Sequence, residues 1–182
     1  MEEMYKQILA RLEDDPSRPG LEKTPARAAS ALKDLTVGYG LDPDELLRPA
    51  VFESESSGLV VCRDIHFVSV CEHHLLPFVG HATIAYWPKG KLVGISKLVR
   101  VTEALARRLQ VQERLGQEIL DSMNRVMEPN GCMVFMKALH LCMVARGVKQ
   151  ENATMETLAV SGKFAQRPEE AWALLGAKNE AG

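Results

Sequence analysis

The pattern of predicted helices and strands places this chain of 182 residues in the α+β class. Apolar residues spaced three and four apart predict helices near the start and in the middle, and alternating apolar and polar residues predict strands. The order along the chain is helices, two strands, two helices and two strands. Such an order favours one antiparallel sheet covered by helices on one face. Since no repeat, low-complexity segment or linker divides the sequence, we expect a single domain overall.

Three helices are predicted before residue 50. The first covers residues 2–14, on the spacing of Met4, Ile8, Leu9 and Leu12. A stretch with two prolines and a glycine at residues 15–20 ends it. The second begins at Thr24, because a threonine followed by proline is typical of a helix start, and it ends at Gly38. A third, short helix is predicted at residues 42–47.

Four strands are predicted in the rest of the chain. From residue 59 the pattern is extended, and Ile65, Phe67 and Ser69 alternate with residues of the other face. The other three strands are predicted at residues 81–86, 132–140 and 155–160. Two helices separate the second strand from the third. The first opens at Ser96, as an N-cap would, with an apolar stripe of Leu98, Val101, Leu105 and Leu109, and the second covers residues 112–127. A short helix is predicted at residues 168–175.

Composition excludes several classes of protein. The net charge of −2 argues against a protein that binds nucleic acid through bulk charge, so we expect no nucleic-acid partner. No apolar run approaches the roughly 20 residues that span a bilayer, and we expect no membrane contact. The acidic start lacks the features of a signal peptide, so a cytoplasmic location is expected. In that compartment the four cysteines are expected as thiols.

Two short clusters combine cysteine with histidine. In Cys71-Glu72-His73-His74 the cysteine and the second histidine are three residues apart, so one helical turn would point both the same way. In His140-Leu141-Cys142 the outer residues are two apart, so a strand would point both to one face. We predict that Cys71, His74 and Cys142 bind Zn²⁺. Three protein ligands leave the fourth position for water, as in catalytic zinc sites.

The remaining cysteines and histidines divide into two groups. His73 and His140 adjoin the predicted ligands but exceed the three that are needed, so we predict that they carry protons. A role in orienting a metal ligand is the alternative for either one. His66 and His81 are interpreted as ordinary strand or surface histidines. Cys62 and Cys132 lie in apolar strands and are interpreted as core residues.

Long motifs in the chain resemble those of the GTP cyclohydrolase I family. The resemblance runs from about Gly20 to Phe164 and rests on five segments in order, which are GLEKTPAR at 20–27, CEHHLLPF at 71–78, GISKL at 94–98, ARRLQVQER at 106–114, and HLCM at 140–143 with ARGV at 145–148. It implies the tunnelling fold, which has a four-stranded antiparallel sheet with two long helices between strands 2 and 3 and helices at the N-terminus. It divides the chain into an N-terminal helical segment, residues 1–50, and a catalytic part, residues 51–182.

The resemblance also implies assembly, activity and the roles of residues. Sheets of several subunits would form a barrel in a homodecamer, with active sites between subunits. The reaction would convert GTP and water into 7,8-dihydroneopterin triphosphate and formate, with attack at C8, in pteridine and tetrahydrofolate biosynthesis. His140 would donate a proton to the purine, and His73 would handle the water or a later proton. Guanine would be bound by Glu113 and Gln112, and the triphosphate by Ser96, Lys97, Arg100 and Arg146.

Two places depart from the resemblance, and other functions stay open. Lys137 stands where an acidic residue is more familiar, and Met155-Glu156 interrupts a stretch usually rich in serine and threonine. One alternative is a related tunnelling-fold enzyme for another purine or a pterin. A second is a non-catalytic paralogue stabilised by zinc. A third is catalysis by Cys71 as a nucleophile with His73, which would survive a chelator.

Overall fold

The computed structural model describes residues 1–176 and contains seven strands in two sheets. The strands are β1 (Val51–Glu53), β2 (Val60–Cys71), β3 (Pro77–Trp87), β4 (Lys91–Val93), β5 (Leu109–Gln110), β6 (Gly131–His140) and β7 (Thr154–Gly162). The main sheet has the order β5-β2-β3-β6-β7, and β1 with β4 forms a separate antiparallel pair. All neighbours from β2 to β7 are antiparallel, whereas the two-residue strand β5 runs parallel to β2.

Eight helices accompany these strands within the described residues. They are α1 (Glu2–Leu12), α2 (Thr24–Leu35), α3 (Pro43–Leu47), α4 (Ile95–Ala106), α5 (Gln112–Met127), α6 (Leu141–Val144), α7 (Lys163–Gln166) and α8 (Pro168–Gly176). The prediction of an α+β fold with an antiparallel sheet is confirmed, and the two long helices lie between β3 and β6 as expected. The parallel strand β5 and the separate pair of β1 with β4 were not predicted. Short 3₁₀ turns at Val37–Gly40 and Arg48–Ala50 were not predicted.

The main core lies between α4, α5 and one face of the sheet. Leu98, Val101 and Leu105 of α4 and Leu115 and Ile119 of α5 are at most 2% exposed, and they pack against Phe78 and Ile84 of β3. Each fully buried side chain of this size contributes about 1.5–3 kcal/mol. The predicted stripe of α4 was wrong at Leu109. This residue lies in β5, because α4 ends at Ala106 and the chain then pairs with β2.

The start of α4 also differs from the prediction. Gly94 is the N-cap residue and the helix begins at Ile95, so the prediction that Ser96 is the N-cap was wrong. The backbone N–H of Lys97 donates to the carbonyl of Gly94, which closes the first turn without a side-chain cap. Ser96 therefore lies in the first turn, with its side chain exposed.

The two places that depart from the family resemblance contact each other. Lys137 of β6 lies opposite Glu156 of β7 in the register, and Lys137 Nζ is 2.6 Å from Glu156 Oε1. Both side chains are nearly half exposed, so the pair contributes at most about 1 kcal/mol. The unusual lysine and the unusual glutamate are thus one cross-strand ion pair, and neither lies among the predicted metal ligands.

Among residues 1–176, no helix has the length and apolar character that crossing a membrane requires.

Candidate metal centre and active site

The ends of three strands bring the two cysteine and histidine clusters to one edge of the sheet. Strand β2 ends at Cys71, and β3 begins at Pro77, which pairs with Val70. Strand β6 ends at His140, which lies opposite Phe78 of β3. The antiparallel register therefore places the end of β6 beside the turn that joins β2 to β3, although the clusters are about seventy residues apart in sequence.

Backbone hydrogen bonds hold the turn that carries the first cluster. The N–H of Leu75 donates to the carbonyl of Cys71 at 2.8 Å, as in one turn of helix, and the N–H of Cys71 donates to Leu76 at 2.9 Å. The N–H of Glu72 donates to the carbonyl of Gln110 at 3.0 Å, which ties the turn to β5. His74 therefore lies one turn from Cys71 on the same side.

Cys71, His74 and Cys142 form a group that could hold a metal ion. One ligand atom from each lies within 4.8 Å of the other two, and His74 Nδ1 is 3.8 Å from Cys71 Sγ. Two sulfur atoms and one imidazole nitrogen are a donor set that suits Zn²⁺. Cys71 is buried, whereas His74 is exposed, so the group is open to a further ligand on one side.

Cys142 reaches this group from a helix. The strand predicted at residues 132–140 is confirmed, since β6 ends at His140. Because α6 begins at Leu141, His140 and Cys142 are not related by one strand face as their spacing suggested. The next residue of β3 that could pair is Pro77, which has no N–H to donate, so the ladder ends there. Burial, together with the neighbouring Cys71 thiol, raises the pKa of Cys142. A bound cation would oppose this by favouring the thiolate.

The other two cysteines lie in the sheet. Cys132 of β6 is fully buried, and burial raises its pKa to about 12. Cys62 of β2 is partly buried and packs against the core, and burial raises its pKa as well. Both thiols are therefore held in the neutral, unreactive form.

His140 lies beside the metal group with its ring fixed on two sides. The ring stacks on Phe78, with centroids 4.6 Å apart and an angle of 3° between the planes. His140 Nε2 lies 2.9 Å from Gln112 Oε1. Because an amide oxygen can only accept, Nε2 carries the proton and Nδ1 carries the lone pair. Burial lowers the pKa of His140, and the Glu113 carboxylate opposes that shift to a smaller extent.

Gln112 is fully buried and its side chain contacts protein groups. Its Nε2, which has two hydrogens to donate, lies 3.0–3.1 Å from three acceptors, the carbonyls of Met136 and Met155 and Thr157 Oγ1. Its Oε1 accepts from His140. The expectation was that Gln112 contacts guanine, but here its amide joins α5 to β6 and β7 and orients His140. The motif at residues 106–114 identifies Gln112 as a candidate site residue, but only the contacts in the folded structure show which groups its side chain bonds.

Glu72 and Arg114 form an ion pair that the sequence analysis did not single out. Arg114 Nη2 donates to Glu72 Oε2, and its Nε donates to Gln110 Oε1 at 2.9 Å. The guanidinium of Arg114 lowers the pKa of Glu72. His73 Nε2 lies 3.9 Å from Glu72 Oε1, and the His73 side chain is 65% exposed. The sequence contains one indication that the two residues matter: Glu72 lies inside the first cluster, and Arg114 lies inside one of the motifs of the family resemblance.

Two further predicted residues lie near this edge of the sheet. Arg146 Nη1 is 3.2 Å from His74 Nε2, so its guanidinium is at the metal group. Glu113 follows Gln112 in the first turn of α5, and its charge acts on His140. It borders a depression of about 290 Å³ between α5 and β7, which is also lined by Gly116, Gln117, Thr157, Leu158 and Ala159.

The remaining predicted residues lie in the N-terminal half of helix α4, whereas the metal group lies near the strand that follows its C-terminal end. Ser96, Lys97 and Arg100 are in its first half, which follows β4 and the Tyr86 end of β3. The Cys71 edge of β2 is instead reached by β5, just after α4 ends. Ser96 is about 15 Å along the helix axis from Ala106, at 1.5 Å per residue. Within one chain, these three residues are therefore not brought together with the metal group.

Comparisons with known proteins agree with the motifs. A relative from Chlorobium phaeovibrioides, described as GTP cyclohydrolase 1, is 50% identical over 167 residues, which cover 90% of this chain and 75% of the relative. Another of the same description, from Alkalilimnicola ehrlichii, is 46% identical over 168 residues, which cover 92% of this chain and 91% of the relative. A third, from Methylococcus capsulatus, is 45% identical over 164 residues, covering 90% and 89%.

The fold resembles a solved structure of lower identity. The archaeosine synthase QueF-Like, in its apo form, superposes with a TM-score of 0.50 at 19% identity, covering 59% of this chain and 97% of that one. This similarity shows a shared fold. The family model described as GTP cyclohydrolase I matches residues 1–176. On these matches, which cover most of the chain, the protein belongs to the GTP cyclohydrolase I family.

Proposed function

We propose that this protein is a zinc-dependent GTP cyclohydrolase, which converts GTP and water into 7,8-dihydroneopterin triphosphate and formate. The single observation that carries the proposal is the convergence of Cys71, His74 and Cys142 with a histidine of fixed orientation, His140. A structural metal site needs no such histidine. Family membership and the names of the relatives support the same reaction.

Cys71, His74 and Cys142 would hold the metal, which we propose to be zinc. The three donors and the exposed side at His74 fit a site that keeps one position for a non-protein ligand. When bound, zinc supplies Lewis acidity that brings the pKa of water near 7. Glu72, clamped by Arg114, and the hydrogen bonds of the Cys71 turn would keep these donors in place.

His140 is proposed to move a proton between water and the purine. With Nε2–H held by Gln112, its Nδ1 is the free basic atom, and burial favours the neutral ring. In the resting state it must therefore accept a proton before it can donate one. We propose that Nδ1 takes the proton of the attacking water and passes it to the imidazole part of the purine, which makes C8 electrophilic.

His73 is proposed to act on a later proton. Its exposed ring lies beside Glu72, 3.9 Å from a carboxylate oxygen, and it can exchange protons with solvent. Opening of the purine ring releases C8 as formate, and rearrangement of the ribose with ring closure completes the product. These later steps need proton transfers at several atoms, which an exposed histidine can reach.

Glu113 is proposed to select guanine. A carboxylate can accept hydrogen bonds from guanine N1–H and the 2-amino group, and adenine presents an acceptor in place of N1–H. The depression beside Glu113, of about 290 Å³, is of the size that a small planar base needs. Gln112 would contribute indirectly, by orienting His140 beside the base, rather than by the direct contact that the motif suggested.

The triphosphate site is proposed to need a second subunit. Arg146 lies at the metal group, whereas Ser96, Lys97 and Arg100 are toward the far end of α4. These residues would complete the site from a neighbouring copy of the chain in a barrel-forming homo-oligomer, a decamer by resemblance. In the described part of the chain, β5 covers only Val70 and Cys71 of β2, and β7 is the last strand, so both edges could extend the sheet into a barrel.

A cytoplasmic location is part of the proposal. Cys71 and Cys142 would bind zinc as thiolates, and their sulfur atoms lie within 4.8 Å of each other. A reducing compartment keeps such neighbouring thiols available for a metal.

The proposal is tested by turnover of zinc-replete protein with GTP, ATP and guanosine. Oxidation of the product should give a fluorescent pterin from GTP alone. Turnover of guanosine as fast as GTP would refute the phosphate contacts and favour an enzyme for another purine. A protein that binds zinc and GTP without forming any pterin would be a non-catalytic member of the family. Activity that survives complete removal of zinc would point to Cys71 as a nucleophile.

A further inference from the structure

Two histidines face each other on the side of the sheet that α4 and α5 do not cover. His66 of β2 is the direct partner of His81 in β3, and both are exposed. Their ring centroids are 5.5 Å apart, with an angle of 67° between the planes. On β2, Ile65 and Phe67 are buried in the core, so His66 points to the opposite face. Their places in the sequence alone indicate ordinary strand or surface histidines.

The spacing of these rings fits a shared metal ion. A metal bound to an imidazole nitrogen at about 2.0–2.1 Å lies roughly 3.1 Å from the ring centroid. Two rings bound at angles between about 90° and 120° would then have centroids roughly 4.4–5.4 Å apart. The observed 5.5 Å is just above this range, so small rotations of the two side chains would bring both rings to a shared ion.

Charged side chains of α4 and β6 lie near the two rings. His66 borders a depression that is also lined by Glu103 and Arg107 of α4, and these two side chains pair with each other at 3.9 Å. Lys137 is the partner of His81 on β6, and an ammonium there would repel a metal. Its Nζ, however, is 2.6 Å from Glu156 on β7, which holds the ammonium on the side away from His66. Toward Cys71, the next cross-strand pair on the same face of the sheet is Val68 with Val79, which is apolar.

We propose that His66 and His81 form a second metal site, for a divalent transition ion of the kind that imidazole binds, such as Zn²⁺, Ni²⁺ or Cu²⁺. The site is separate from the cysteine-containing group, because His66 is five residues from Cys71 along β2, or about 16 Å. Two protein ligands leave the other positions to water. The ion is therefore exchangeable, and it links β2 to β3.

The test is zinc stoichiometry of the full-length protein, equilibrated by dialysis in buffered zinc and then analysed for metal per chain. We expect two zinc ions per chain in the parent at high buffered zinc. His66→Gln and His81→Gln should each weaken the second site on the order of tenfold or more, since a single imidazole replaces a chelate, and should keep the first. Cys142→Ala should lose the first ion and keep the second.

A matched control removes a neighbouring charge without removing a ligand. Lys137→Gln should keep two zinc ions per chain. A parent protein that binds one ion at every zinc concentration would overturn the proposal, and so would a second ion that survives both histidine substitutions. Metal stoichiometry does not depend on turnover. The second site can therefore be refuted while the proposed cyclohydrolase activity is confirmed, and the activity can be refuted while the second site is confirmed.

A second measurement uses the parent protein and does not depend on folding of a variant. Diethyl pyrocarbonate modifies exposed imidazoles, and peptide mass spectrometry can follow His66 and His81 separately. Zinc should slow modification of both by severalfold, because a ligated nitrogen is not nucleophilic. Equal rates with and without zinc would overturn the proposal.

Discussion

Gln112 Oε1 accepts a hydrogen bond from His140 Nε2 at 2.9 Å, which connects the first residue of α5 to the last residue of β6. The two N–H groups at the other end of the same amide face two carbonyls and a hydroxyl. With its amide oxygen and nitrogen both engaged, the side chain has little freedom to turn. The His140 ring is therefore oriented by the fold before any ligand arrives.

Gln112→Leu should lower turnover and stability together. The substitution leaves His140 Nε2–H and the carbonyls of Met136 and Met155 without their partner in a buried place, which costs about 1–3 kcal/mol. Because the proposed function of Gln112 is to position His140, kcat should fall more than KM rises. Steady-state kinetics and denaturant unfolding measure the two effects. Gln166→Leu, on an exposed side chain of α7, is the matched control. Unchanged kcat in the Gln112→Leu variant would contradict this role.

Cys142→Ala should abolish binding of the catalytic metal and leave the fold intact. The thiol supplies one of three donors within 4.8 Å, and its side chain is only partly buried, so little packing is lost. Metal analysis at limiting zinc and circular dichroism provide the measurements. Cys62→Ala, which removes a partly buried thiol of β2, should keep the metal. A full complement of zinc in Cys142→Ala at limiting metal would refute the ligand assignment.

Glu113→Gln should remove productive binding of guanine without releasing zinc. The amide replaces one acceptor oxygen by a donor, which then faces a donor of the base, and a mismatch of this kind costs roughly 1–3 kcal/mol. The variant should therefore lose at least tenfold in kcat/KM for GTP. Glu3→Gln on α1, whose side chain is 72% exposed, serves as the control for a lost carboxylate. Equal kcat/KM in the parent and in Glu113→Gln would exclude the carboxylate from base recognition.

Asp44 should stabilise the N-terminal part of the fold in a pH-dependent way. Its carboxylate accepts from Arg125 at 2.8 and 3.0 Å and from Ser122 at 2.6 Å, and its side chain is 15% exposed. The hydrogen bond from Arg125 lowers the pKa of Asp44 below the ordinary value of 3.8. The folded-state pKa lies below the ordinary value of 3.8, which applies to the unfolded chain. The stabilisation is therefore fully present above pH 3.8 and is lost as the pH falls through the lowered pKa.

Asp44→Asn should accordingly cost about 1–2 kcal/mol at pH 7. The difference in unfolding free energy between parent and variant should shrink as the pH falls below 3.8. Chemical denaturation at a series of pH values tests this, with Asp34→Asn on exposed α2 as the control. A difference that is constant from pH 7 to pH 3 would show that the charge of Asp44 has no part in it.

Local patterns in the sequence predicted most of the secondary structure. The alternation around Ile65 and Phe67 placed β2, and the spacing of Leu115, Ile119 and Met123 placed α5, because each pattern reflects burial on one face. The strands β3 and β7 are longer than predicted, since pairing with neighbours extends them past the apolar positions. The two-residue strand β5 has no pattern of its own and depends on β2 alone.

The candidate site could be predicted in part. The spacing of Cys71 and His74 identified two possible metal ligands because one turn relates them, whatever the surrounding structure. The strand predicted to end at His140 is confirmed, but Cys142 does not share a strand face with His140, because pairing ends opposite Pro77, which is a property of the partner strand. Contacts across the fold, such as that of Gln112 with His140 or Lys137 with Glu156, follow from the strand register, which a single sequence does not display.

The fate of purine C8 tests the central claim most directly. Zinc-replete protein is incubated with GTP labelled with ¹³C at C8, and the products are followed by NMR. We expect that the label leaves as formate, one equivalent for each dihydroneopterin triphosphate formed, and that Cys142→Ala forms neither product. Label retained in a purine or an opened ring, or GTP left unchanged by protein that holds its zinc, would contradict the account.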